Sequence, residues 1–368
     1  MEKSMSMDFN GLQDRIRGSV LGGAVGDALG FPVNGLRSYE KIQQRYGPRG
    51  ITCLDTDHLW QMVGHQGGKA PVSDSTQLTL YTVWGMLYEP ENGLTMLEVI
   101  TYAYVEWYLE QSGWKNTRFE RCWLRQVPGL NQRCTPDNTS LLALRTIFEG
   151  KDYVNRSNGH GAVTRVAPVP LYAIVTGKGI EEADRLAADV ARITHHHPLG
   201  YLSAALEAHV IYRLVRDGWP TRTRLTSYVR EGLDTLVRLF PDELKSVEYL
   251  SRLVERAVGL SASYRSNVEA VESLGRGETA EEVLAIAIYC ALKHFGKGAE
   301  AMRAAVNHAG HSSATGSVTG HILGAAVGYR QLPRSIARKL AFHDLILHMA
   351  DDLCRGRLTE YPDERRHP

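Results

Sequence analysis

Glycine recurs at every fourth position in two places far apart in the chain: Gly18, Gly22, Gly26 and Gly30, then Gly316, Gly320, Gly324 and Gly328. On a helix this spacing places each set in one stripe that turns slowly around the axis. Glycine inside a helix costs about 1 kcal/mol relative to alanine, so two such stripes need a return. The simplest return is close approach of backbones. The spacing therefore predicts helices over 18–29 and 316–328, in contact at the middle of a helical domain. Close packing alone accounts for the glycines. It also draws together the polar segments that flank both stripes.

The remainder of the chain is read the same way. Apolar residues recur at three- and four-residue spacing over 181–193, 200–216, 227–240, 244–259, 278–295 and 334–355. Turn signals such as Gly47-Pro48, Pro128-Gly129 and Gly275-Arg276-Gly277 separate them. Alternating strand patterns are absent, and no low-complexity linker divides the chain. With 43% hydrophobic and 23% charged residues, 368 residues suffice for one large core. The expectation is an all-α, single compact multi-helix domain over 11–356, with loose termini at 1–10 and 357–368. Lys plus Arg number 42 against 41 Asp plus Glu, so no basic excess points to nucleic acid. No run approaches the ~20 apolar residues of a membrane span, and the polar start lacks a signal-peptide core. Cys53, Cys122, Cys134, Cys290 and Cys354 are scattered and odd in number. They read as reduced thiols, which fits a cytoplasmic protein.

Five segments resemble one family, in its order. Gly18-Ser-Val-Leu-Gly-Gly-Ala-Val-Gly-Asp-Ala-Leu-Gly-Phe-Pro-Val33 is similar to the opening of the ADP-ribosylglycohydrolases of the dinitrogenase-reductase-activating type. Val72-Ser-Asp-Ser-Thr-Gln-Leu-Thr79 resembles the family's Ser/Thr-Asp-Asp-Thr-Gln-x-Thr segment. Gly159-His-Gly-Ala-Val-Thr-Arg-Val-Ala-Pro168 resembles its Gly-x-Gly-x-x-Met-Arg-x-Ala-Pro loop. Thr194-His-His-His-Pro198 resembles Thr-His-x-His-Pro, and Asn307-His-Ala-Gly-His-Ser-Ser-Ala-Thr-Gly316 resembles Asn-His-x-Gly-Asp-Ser-Asp-Ser-Thr-Gly. The resemblance implies an ADP-ribosylglycohydrolase-like fold.

It also implies a chemistry. Resembling proteins hold two magnesium or manganese ions with the oxygens of the second and fifth segments, because hard cations take carboxylate ligands. Here Ser73 and Asp74 are the remnant of that metal set. Ser75, His311 and Ser313 stand where the family has aspartates, Ala314 replaces a hydroxyl ligand, and Asn34 stands at a common glutamate. Two divalent ions bring about four positive charges against about one negative charge, an imbalance costing several kcal/mol. No tightly bound cofactor is therefore expected. The expected function is binding of ADP-ribosyl groups or an ADP-ribosylated target, or of an ADP-ribosylating toxin as an immunity protein. The alternative is a hydrolase with altered chemistry, in which Asp74 and His311 would be catalytic. The expected ligand-binding set is Asn34, His160, Gly161, Ala162, Gly310 and Ser313. Asn34, Ser73, Asp74, Ser75, His311 and Ser313 are expected to converge on one cleft.

Two further patterns fit ordinary packing. His160, His195, His196, His197, His308 and His311 could mark a zinc site, but the resemblance makes His195, His197 and His308 scaffold. A replacement metal site of His311, Asp74 and His160 stays open. Trp107, Trp114, Phe119 and Trp123 with Arg118, Arg121 and Arg125 could form an aromatic and basic partner surface, or simply pack with solvated arginines.

Overall fold

The computed structural model describes residues 9–57, 68–90, 93–114, 121–218, 221–332 and 334–361. Its helices are α1 (Phe9–Gly30), α2 (Tyr39–Tyr46), α3 (Asp74–Leu87), α4 (Met96–Gln111), α5 (Asn138–Phe148), α6 (Pro168–Val175), α7 (Ile180–Arg192) and α8 (Pro198–Arg216). They continue with α9 (Arg222–Leu239), α10 (Leu244–Ser261), α11 (Asn267–Leu274), α12 (Ala280–Lys293), α13 (Gly298–Val306), α14 (Ser312–Val327), α15 (Arg334–Ala337) and α16 (His343–Arg355). Among the described residues the only β pairings are two isolated bridges, Ala70 with Leu340 and Gly159 with Thr279. The fold is all-α.

Local chemistry explains where the helices start. Ser73, Asp137 and Thr221 place a side-chain oxygen on the free N–H groups of the first turn of α3, α5 and α9. Thr95 and Ser266 do so in reciprocal boxes with Glu98 and Glu269. His197 caps α8 through Nδ1, which accepts from Leu199 N at 3.2 Å.

Helices α1 and α14 run antiparallel and make the broadest helix contact in the fold. Their glycines oppose one another. A Cβ on Gly26 would lie 1.9 Å from the carbonyl oxygen of Gly316, and one on Gly320 would lie 2.0 Å from that of Gly22. No side chain fits there, so the backbones themselves are in contact. Polar bonds cross the same seam. Ser19 Oγ donates to the His321 carbonyl at 3.1 Å, and Arg15 Nη1 donates to the carbonyl of Ala325 at 3.0 Å and, off the seam, to that of Leu214 in α8 at 2.7 Å. Outside the pair, Arg17 grips Asp351 of α16 with two bonds, Nε to Oδ1 at 2.5 Å and Nη2 to Oδ2 at 2.7 Å. Helices α8, α12 and α13 cover α14 on its other sides.

The expected helix over 334–355 is not continuous. It breaks into α15 and α16, and Phe342 between them has a left-handed backbone, φ 60°. The break frees residues 339–341 to pair with Ala70: Ala70 N donates to Lys339 O at 2.7 Å and Ala341 N to Ala70 O at 2.8 Å. Tertiary pairing overrides a favourable helical period here.

The aromatic strip does not form one surface. Trp107 is fully buried and donates to Gln77 Oε1 at 2.9 Å, Trp114 is exposed, and Trp123 stacks on Tyr361. Arg125 is paired with Glu110 at 2.7 Å. Arg118 and Phe119 lie outside the described residues.

Candidate functional site

The site is assembled where the C-terminal half of α1 meets the start of α3, the start of α5, the 157–165 loop and the start of α14. Asp27, one residue past the glycine at the seam, is fully buried. It accepts from Ser73 N at 2.9 Å, Ser73 Oγ at 2.6 Å and Thr76 Oγ1 at 2.6 Å. Burial raises its pKa against the pull of those donors. The Ser73 hydroxyl thus donates to Asp27 while accepting from Ser75 N at 3.2 Å.

Asp74 is buried, and its Oδ2 accepts from Asp137 N at 2.9 Å. Burial, reinforced by the charges of Asp137 and Asp27, pushes its carboxyl up to about 8. At neutral pH this group is largely protonated. Asp137 behaves in the opposite way. Burial would raise it, but His195 and the charge of His160 hold its carboxyl well below the usual range. Asp137 Oδ2 accepts from Ser140 N at 2.7 Å, and a Cβ on Gly161 would meet that oxygen at 2.7 Å. Gly161 is therefore the residue that lets the loop lie against the carboxylate.

A directional chain stands behind Asp137. Arg165, fully buried, donates through Nη2 to Thr194 Oγ1 at 2.6 Å. Arginine can only donate, so the Thr194 hydroxyl proton goes to His195 Nδ1, 2.8 Å away. That assigns the His195 ring proton to Nε2, which faces Asp137 Oδ2 across a long 3.4 Å contact. Burial lowers the pKa of His195 despite Asp137, so the imidazole is neutral and fixed in one tautomer. The sequence reading places neither Asp137 nor Asp27 in the site. Pro136-Asp137-Asn138-Thr139-Ser140 before an apolar run carries the signal of a helix cap, which Asp137 also is.

The fifth segment brings His311 to His160. His160 Nε2 and His311 Nδ1 are 3.0 Å apart, with ring centroids at 4.4 Å. Burial, and then the neighbouring His311, lowers His160 to about 4, and burial also lowers His311. Asn34 Oδ1 accepts from Ser313 N at 3.4 Å, and Gly35 N donates to Gly310 O at 2.8 Å. Gly310, at φ 131°, leaves no room for a Cβ, which would lie 2.0 Å from Arg276 O. Ser313 is buried and Ala314 fully so. Ala162 is fully buried in the core and offers only its backbone. The loop carrying His160 is held by Asn158 Nδ2, which donates to buried Glu281 Oε1 at 2.8 Å.

Asn34, Gly310, His311 and Ser313 therefore gather at the start of α14. Ser73, Asp74 and Ser75 gather at the start of α3. Asp137 joins the two groups: it touches Asp74 through its backbone, and its charge acts on His160 and His311. Among the described residues no group of three or more His, Cys, Asp or Glu side chains is placed to hold a metal. The donor set does not fit two hard cations: of the carboxylates that the resemblance implies only Asp74 is present, and serine, histidine and alanine occupy the other positions. Of the expected scaffold histidines, His308 Nε2 bonds Thr315 Oγ1 at 2.9 Å.

The two carboxyls predict opposite pH effects on stability. Asp74 is protonated when folded and ionises near 3.8 when unfolded. Its contribution is present below pH ~4 and lost as pH rises toward 8. Urea midpoints of Asp74→Asn should therefore fall less than wild type between pH 4 and 8. Asp137 is depressed on folding, so its contribution is present above pH ~4 and lost in acid. Asp137→Asn should lower the midpoint at pH 7 and converge with wild type in acid.

Comparison with known proteins places these features. The ADP-ribosylglycohydrolase family model matches residues 9–363. A protein of Archaeoglobus fulgidus, described only as uncharacterized, is 27% identical over 327 residues, 85% of this chain and 88% of that protein. The mouse ADP-ribosylhydrolase ARH3 is 28% identical over 207 residues, 52% of this chain, which spans about half (54%) of that protein. A solved structure described as an ADP-ribosylglycohydrolase-related protein complex superposes with a TM-score of 0.64 at 22% identity, covering 95% of this chain and 100% of that one.

Proposed function

Because the chain belongs to the ADP-ribosylglycohydrolase family, we propose that it recognises ADP-ribosyl groups without the two-metal hydrolytic centre the resemblance implies. The observation that carries this reading is the His160–His311 pair, seated where a hard cation would need carboxylate oxygen. Ser75, Ser313 and Ala314 supply no further carboxylate for such a cation. Ligands are an ADP-ribosylated target, or an ADP-ribosylating toxin blocked by an immunity-type protein. All five cysteines are unpaired, which supports a reducing, cytoplasmic setting. No helix among the described residues is long and apolar enough to cross a membrane.

A second reading has its own support. Asp74 and Asp137 are neighbouring carboxyls pushed in opposite directions. That is the division of labour of a general acid and an ionised partner. Under this reading the protein cleaves an ADP-ribosyl bond without magnesium, and His311 serves as a further acid–base group.

Calorimetric titration with ADP-ribose in the presence of a chelator tests the first reading. Binding should be equal with chelator and with magnesium, and release of ADP-ribose from arginine-linked substrate should be negligible. Magnesium-dependent turnover near ~1 s⁻¹, an ordinary enzyme rate, would overturn it. Turnover that persists in chelator and is abolished by Asp137→Asn would establish the second reading instead.

A further inference from the structure

Arg165 is a fully buried cation that makes no ion pair among the described residues. Its guanidinium lies over the Tyr104 ring, 4.4 Å from the centroid. Two of its nitrogens reach in different directions: Nη2 donates to Thr194 Oγ1 at 2.6 Å, and Nη1 donates to Ser140 Oγ at 3.3 Å. Both arms lead to one carboxylate. Thr194 passes its proton to His195 Nδ1, and His195 Nε2 then faces Asp137 Oδ2 at 3.4 Å. Ser140 N donates to the same Oδ2 at 2.7 Å. A buried charge is costly unless it is bonded and answered by an opposite one, and here the answer stands one residue away along each arm.

The other oxygen of Asp137 is left over. Oδ1 makes no hydrogen bond among the described residues, yet it is not sealed in the core: the Asp137 side chain keeps 14% of its exposure where His195 keeps none. A carboxylate turns readily about its last bond. Gripping one oxygen from two sides stops that rotation and fixes where the other points.

We infer that Arg165 is the positioning residue of this site: working through Ser140 on one side and Thr194–His195 on the other, it fixes Asp137 so that Oδ1 faces the cleft as a ready acceptor for a ligand hydroxyl. An ADP-ribosyl group carries sugar diols, and an acceptor aligned beforehand takes a hydroxyl without first losing rotational freedom. The carboxylate also repels phosphate by like charge, so this position belongs to a sugar and not to the diphosphate. The inference rests on the ADP-ribosyl reading above and adds the residue that orients the site's acceptor.

The test combines 15N NMR of the histidine rings with ADP-ribose calorimetry in chelator, on the full-length protein. The His195 signals, assigned by their loss in His195→Gln, should place the proton on Nε2 in the wild type. Thr194→Val should give a mixture of tautomers, and Thr194→Ser should restore the Nε2 form. Thr194→Val and Asp137→Asn should each weaken ADP-ribose binding roughly tenfold with unchanged circular dichroism, while Thr194→Ser should bind as the wild type does. In an Asp137→Asn background Thr194→Val should cost nothing more, because its effect passes through that carboxylate. Arg165→Lys keeps the charge without the fork and should reproduce Thr194→Val; should it misfold, the threonine variants carry the test alone. A proton on Nδ1 of wild-type His195, or the full loss from Thr194→Val in the Asp137→Asn background, overturns the inference. Failure of the wild type to bind ADP-ribose overturns the earlier reading alone if the tautomer is fixed in the wild type and released in Thr194→Val, and overturns both if it is not.

Discussion

Gly26→Ala should destabilise the protein by about 3 kcal/mol or more, toward the upper end of what overpacking costs. The added Cβ would lie 1.9 Å from the Gly316 carbonyl oxygen and 2.5 Å from its carbon. Neither atom can swing away as a flexible side chain would, so α1 and α14 must separate. Separation breaks the Ser19–His321 bonds and disturbs Asp27, one residue along. Gly259→Ala supplies the contrast. Gly259 lies in α10, with nothing within 4 Å of its added Cβ. That change should stabilise by up to about 1 kcal/mol through helix propensity and reduced freedom of the unfolded chain. Thermal melts of both variants decide the matter. Equal and small effects would show that the seam is not a backbone contact.

The second large effect should come from putting carboxylates back. The combined variant Ser75→Asp, His311→Asp, Ser313→Asp and Ala314→Ser adds three negative charges beside a carboxyl already held up to about 8 by burial and its neighbours. Without metal the variant should melt well below wild type, because like charges crowd a poorly solvated pocket. Magnesium should then reverse the loss. At a concentration one hundred times its dissociation constant it would return about 2.7 kcal/mol. Wild type should show no such magnesium-dependent rise. A variant as stable as wild type without metal, or one indifferent to magnesium, would mean that these positions do not face one another.

How much of this was legible in the sequence differs by element. The seam was, because little besides a close helix pair rewards a four-residue glycine period; α1 encloses 18–29, and α14 starts before 316 but ends at Val327, one residue short of the expected 328. The break at Phe342 was not, since its cause is Ala70, some 270 residues upstream and invisible to any local period. The losses at Ser75, His311, Ser313 and Ala314 were readable only through the family resemblance. The arrangement that takes their place was not. His160 and His311 are 151 positions apart, and no local spacing pairs them. Asp137 was hidden by a double role: as the N-cap of α5 it satisfies a sequence rule completely, so nothing in its spacing pointed to the site. His195 was read as scaffold from the family resemblance, yet its tautomer is dictated by Arg165 through Thr194.

The seam between α1 and α14 also sets the order in which the chain can fold during synthesis. Ser19 and His321, bonded across it, are 302 residues apart. A nascent chain therefore presents α1, with its glycine stripe and reduced helix propensity, long before the partner that rewards it exists. The helices between them can pack earlier, including α7 against α8 and α3 against α4. Asp27 can meet Ser73 and Thr76 early, whereas the Gly316 backbone that packs on neighbouring Gly26 comes only near the end of synthesis. A chain truncated before α14 would keep most of its sequence and still lack both the central helix pair and the wall of the site that carries His311. Its unpaired glycine helix would be a natural target for chaperones and proteases.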